Sequence, residues 1–209
     1  MTERSSGILL HISSLPGKEG IGTLGENAFQ FVDFLAETKQ KLWQILPLGP
    51  VGYGNSPYQC YSAFAGNPLF IDLDLLVKES LLNPVDLENL PSFSRKNVEF
   101  DKVEESKYPL LQKAFATFQE RPFENLKAEY YIFLNENSWW LDDYSLFMAV
   151  KTHFNGIIWM DWDDDIKFRK KNAIEKYRKL LSEEIDFRRF MQFLFFRQWM
   201  KLKQYANSK

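Results

Sequence analysis

The chain has 209 residues, enough for one large domain or one and a half, and 45% of them are hydrophobic, ample for a packed core. A formal charge of −2 excludes the basic face of a nucleic-acid or anionic-membrane binder. The single cysteine, Cys60, excludes an internal disulfide and a cysteine-based metal site, and fits a reducing, cytoplasmic setting.

The first residues lack a basic segment leading into a long apolar one, so no signal peptide is expected. No apolar run reaches the length of a membrane span. "GILLHI", Gly7 to Ile12, reads as a strand buried on both faces. A loop with several glycines follows. Thr23 and Glu26 then have capping-box spacing, and Ala28, Phe31, Val32 and Leu35 recur with helical period. Leu42 to Leu46 reads as a second buried strand, stopped by Pro47. Strand, helix and strand make a βαβ unit with parallel strands and a right-handed crossover.

"GYGNSPYQCYSAFAGNP", residues 52–68, comes next. It lies at the C-terminal end of the second strand, where barrels and open α/β sheets carry their binding sites. Tyr53 and Tyr58 offer flat faces for sugar rings, while Asn55, Ser56 and Gln59 offer hydrogen bonds to hydroxyls. The competing reading is a tight turn whose tyrosines close the end of the sheet. "NSPY" resembles a methyltransferase tetrapeptide, but Ser56 stands where a proline is required, and the glycines of residues 17–25 lack dinucleotide spacing.

Beyond this loop the strand signals fade. Residues 74–135 read as helices broken by Pro84, Pro91, Pro109 and Pro122. Asp142 or Asp143 has the position to cap a helix over 144–154. "DWDDDIKFRKKN" has carboxylates at positions 1, 3 and 5 of a calcium loop, but Ile166 and Asn172 occupy positions that need Gly and Glu, which leaves a solvated acidic turn. His11 and His153 fall on different elements and read as structural rather than metal-binding. Asp72 and Asp74 fit helix capping better than catalysis. The last helix, starting near residue 182, is apolar on more than one stripe and expects burial on several sides. Two parallel strands do not make a sheet, and a (β/α)8 barrel needs eight. The pattern therefore reads as the front portion of a larger α/β domain.

Three stretches carry a family resemblance: "LLHISSLPGKEGIGTLGENAFQFVDFL", "LWQILPLGPVGYGNSPYQCYSAFAGNPLFIDLDLL" and "FRQWMKLKQYAN". Together they resemble the 4-α-glucanotransferases, or amylomaltases, of the α-amylase clan. The resemblance implies the first two strands of a TIM barrel with a large, mostly helical insertion. Residues 1–67 would start the barrel, 68–181 form the insertion, and 182–209 a barrel helix leading to a third strand. It implies transfer of an α-1,4-glucan segment to the 4-hydroxyl of glucose or another glucan by a retaining double displacement, without metal or organic cofactor. Maltooligosaccharides or starch would be the partners. Ser56 and Tyr58 match positions that contact sugar near the cleavage point, and Tyr53 matches half of a remote glucan platform. Its other half corresponds to Phe100, which keeps a stacking face but lacks the family's tyrosine hydroxyl. The family's catalytic carboxylates have no counterpart here and are expected beyond Lys209, so the 209 residues alone are expected to be inactive and prone to aggregate. The alternative is a non-catalytic glucan-binding protein or a half enzyme that needs a partner.

Overall fold

The computed structural model describes residues 4–209, apart from the side chain of Tyr53. Its elements run β1 (Gly7–Leu9), α1 (Glu26–Glu37), β2 (Leu42–Gln44), α2 (Leu73–Lys78), α3 (Phe100–Glu120), α4 (Glu124–His153), α5 (Asp164–Lys167), α6 (Lys171–Leu180) and α7 (Ser182–Ser208). They form two compact units. One comprises residues up to Pro122 together with Leu194–Lys209, and the other Phe123–Phe193.

In the first unit β1 and β2 pair in parallel, with Gly7 opposite Leu42, Ile8 opposite Trp43 and Leu9 opposite Gln44. Both strands are shorter than the apolar runs that predict them. A strand persists only while a partner takes its ladder bonds. After Leu10 donates to the Gln44 carbonyl, the first chain winds into a 3-10 turn at Ile12–Ser14, and Ile45 onward is left without a ladder. Burial on both faces is also not what the structure has. Trp43 packs its ring against Phe31 of α1 and donates from Nε1 to the Leu10 carbonyl at 2.7 Å. On the opposite face Leu9 and Leu42 remain 56% and 58% exposed.

The predicted capping box does not form, because α1 begins at Glu26 itself with Gly25 as its extended N-cap. Thr23 instead donates to Asp72 Oδ2 at 2.6 Å. A Cβ on Gly25 would stand 1.8 Å from that same oxygen, so only glycine fits there. Asp72 does cap α2, accepting from the Leu75 amide. Its own backbone is held from α7: the Asp72 amide donates to Gln198 Oε1 at 2.8 Å, and Gln198 Nε2 donates to the Asp72 carbonyl. Beside it lies a fully buried ion pair, Lys107 Nζ to Glu19 Oε2 at 2.6 Å. Lys107 also donates to the Leu69 carbonyl, and Glu19 Oε1 accepts from the Leu73 amide. Pro109 does not break α3, which carries it on an exposed face.

In the second unit α4 runs unbroken for 30 residues. Asp142 and Asp143 therefore cap nothing. Their carboxylates take Arg189 at 2.7 Å and Arg169 at 2.8 Å, and the helix runs on through them because Trp140 and Leu141 before them and Tyr144 and Ser145 after them are buried. The core of this unit gathers Leu146, Ala149, Val150, Trp162, Ile166, Tyr177 and Ile185, with Trp162 stacked on Phe154. The acidic stretch is a solvated turn as expected. Asp164 pairs with Lys167 and Asp165 with Lys170, each at 2.6 Å. Lys167 holds the Asp164 carboxyl below its usual range, and Asp165 holds Lys170 above its own.

Burial pushes the Glu19 carboxyl above the usual range despite the facing lysine. Lys107→Met would leave that carboxylate buried and unpaired, at a cost of about 3–5 kcal/mol in unfolding free energy at neutral pH. With a folded pKa above the unfolded one, the folded state binds the extra proton. The stability this gives is complete below the ordinary Glu range of about 4.3 and is lost as pH rises through the folded value. Urea unfolding of the variant should therefore show more stability at mildly acidic pH than at neutral pH, by a larger margin than in wild type.

Candidate functional site

The segment after β2 folds back on itself as a loop closed by backbone bonds. At its foot the Asn67 amide donates to the Leu48 carbonyl at 2.7 Å. Further out, the Tyr61 amide donates to the Pro50 carbonyl, Val51 bridges Cys60 in antiparallel fashion, and the Gly52 amide donates to the Gln59 carbonyl. The tip turns through a 3-10 segment, Tyr53–Asn55, in which Gly54 has φ of 78° and Asn55 φ of 54°. Glycine and asparagine are the residues that take this left-handed region at least cost. The Gln59 amide then donates to the Ser56 carbonyl, and the Tyr58 amide lies within reach of Ser56 Oγ.

This fold-back brings three of the predicted residues together. Asn55 and Ser56 are half-buried on the tip, and Tyr58 stands 73% exposed beside them. The backbone of Tyr53 opens the same turn, while its side chain lies outside the described part. Phe100 belongs to a different element, as the first residue of α3, and is half-buried.

Tyr58, Cys60 and Phe64 line one side of a cleft of about 500 Å³. The other side comes from α7: Phe195, Phe196 and Trp199. Sequence reasoning missed this aromatic wall. Its one signal was the excess of apolar residues around α7. A Cβ on Gly66 would fall 2.0 Å from the Phe195 ring, so glycine lets the loop's return arm lie against the helix. Burial raises the Cys60 thiol above its ordinary value, which keeps it protonated near neutral pH, and its Sγ lies 3.0 Å from the Pro57 carbonyl.

His11 is half-buried edge-on to Phe70. Burial lowers its pKa, and among the described residues its Nδ1 finds no hydrogen-bond partner. Glu19, Asp72 and Asp74 lie close enough to share a metal ion, but the Lys107 ammonium already sits against Glu19.

A parallel βαβ unit with an aromatic loop at the carboxyl end of its second strand is the layout of an α/β binding site. The chain belongs to the 4-alpha-glucanotransferase family, whose model matches residues 10–209. It is 47% identical over its whole length to the 4-alpha-glucanotransferase of Synechocystis sp., covering 41% of that protein. Against that of Clostridium butyricum it is 48% identical, with 96% of this chain and 40% of the relative covered. Among solved structures, an amylomaltase from Streptococcus agalactiae in complex with acarbose superposes with a TM-score of 0.93 at 44% identity, over 99% of this chain and 41% of that one. The chain thus spans about two fifths of the relatives it matches.

Gly66→Ala should force the loop arm and the Phe195 ring apart, an overpacking cost of roughly 1–3 kcal/mol. Denaturant midpoints of the two proteins give the difference directly.

Proposed function

We propose that the protein is a cytoplasmic 4-α-glucanotransferase, and that this chain supplies part of its glucan-binding groove. The observation that carries the reading is the closed loop of residues 52–67, with its tip side chains beside an aromatic cleft, in a chain of this family. An α-glucan offers apolar ring faces and many hydroxyls. Tyr58 supplies a flat face for the first, and Asn55 and Ser56 supply polar groups for the second. A cleft walled by Phe64, Phe196 and Trp199 offers further apolar surface to those ring faces.

In this reading β1 and β2 start a (β/α)8 barrel, residues 68–181 form its helical insertion, and the remaining strands and the catalytic carboxylates belong to the rest of the family's length. Bond cleavage follows the retaining logic, in which one carboxylate attacks the sugar and a second acts as acid and then as base. The residues of this chain bind and orient. Tyr53 and Phe100 form a more remote contact for long glucans. The substrates are maltooligosaccharides or starch, and no metal takes part.

The test is the product spectrum from pure maltotriose. Transfer yields glucose together with longer oligosaccharides at an unchanged number of reducing ends, whereas hydrolysis raises that number. A protein at its natural length that gives no longer oligosaccharides would refute the reading. Tyr58→Ala should leave the melting temperature unchanged, since the side chain is exposed, and weaken glucan binding by about 0.5–1.5 kcal/mol, the value of one aromatic contact. Phe100→Tyr should raise the affinity for long glucans and leave that for maltotriose unaffected. A gain equal for both lengths would remove Phe100 from the remote contact.

A further inference from the structure

We infer that Glu19 and Lys107 are positioning residues that set where the glucan loop stands. This rests on reading residues 52–67 as that loop. The return arm ends at Asn67, and the next residues form its footing: a 3-10 turn, Pro68–Phe70, then Ile71 and Asp72, all buried. Buried backbone groups need partners. Here they come from several distant parts of the chain. Lys107 on α3 donates to the Leu69 carbonyl at 2.7 Å. Glu19, from the loop before α1, accepts from the Leu73 amide at 2.9 Å. Gln198 on α7 takes both backbone groups of Asp72, and the Leu24 amide donates to the Phe70 carbonyl.

Glu19 and Lys107 differ from the other partners in being charged, 4% and 1% exposed, and 2.6 Å apart. Stability alone does not account for their charges, because a neutral side chain also satisfies buried backbone groups, as Gln198 does at Asp72, and a buried ion pair as such is often replaced without loss. What the pair adds is direction. Each member spends one contact on the other and one on a fixed backbone atom of the footing, so α3 and the Glu19 loop share one distance and one angle to it. Asn67 carries that position outward through its bonds to the Leu48 carbonyl and the Leu69 amide, and these close the loop.

The test uses E19L/K107M, which removes both charges together and avoids stranding either one. The protein at its natural length should melt below the wild-type temperature, because the Leu69 carbonyl and the Leu73 amide lose their buried partners, and should keep its kcat within about twofold. Its KM for maltotriose should rise roughly tenfold, because a misplaced loop loses binding shared by ground and transition states. A folded double variant with a KM within twofold of wild type overturns the inference. Native-state hydrogen exchange of the wild type gives an independent answer, including where the variant does not fold. The loop amides of Gly52, Gln59 and Tyr61 should open at the same denaturant dependence as the footing amides of Leu69 and Leu73. Loop amides that open separately from the footing overturn it as well. A wild type without transfer products would instead refute the glucan reading, and the exchange data would still decide the fastening.

Discussion

The first unit depends on one requirement, that the backbone from Asn67 to Leu73 be buried and still find hydrogen-bond partners. The chain has just left a surface loop and must enter α2 through the interior. No strand receives it there, so side chains do the work of a ladder. Gln198 mimics a neighbouring strand, giving and taking one bond at Asp72. Asp72 in turn stops the carboxyl end of one segment and starts a helix, while its second oxygen binds Thr23. Elements far apart in sequence converge on a few residues at the foot of the loop.

The sequence reveals the order of elements better than their extents. Alternation between a short apolar run and a 3.6-residue period is a local property, so β1, α1 and β2 are legible. The lengths of the strands are not, because they depend on which residues across the ladder have a partner. The same division holds in the second unit. Asp142 and Asp143 have every local property of a helix cap, yet α4 passes through them with buried residues on both sides, and their carboxylates pair with Arg189 and Arg169 in the folded chain. Ion pairs between distant residues leave no periodic trace.

For the candidate site, composition is what draws the eye. A stretch with three tyrosines among glycines, prolines and amides is poor core material and poor linker material, and that made residues 52–68 visible. Phe195, Phe196 and Trp199 are ordinary residues for a buried helix, so their place in the cleft was hidden. The Glu19–Lys107 pair was hidden for a related reason. An acid and a base among 54 charged residues attract no notice until burial singles them out.

The loop is fastened along its arms by main-chain bonds, from Asn67–Leu48 to Gly52–Gln59, and Ser56, Cys60 and Ser62 add side-chain bonds to neighbouring backbone. Main-chain bonds are indifferent to which side chain each residue carries. At the tip, Gly54 and Asn55 are tied to their left-handed backbone, whereas the exposed Tyr58 can be exchanged while the scaffold holds the same path. Such a loop separates two properties: main-chain geometry fixes the frame, and the exposed side chain of Tyr58 stands free of it.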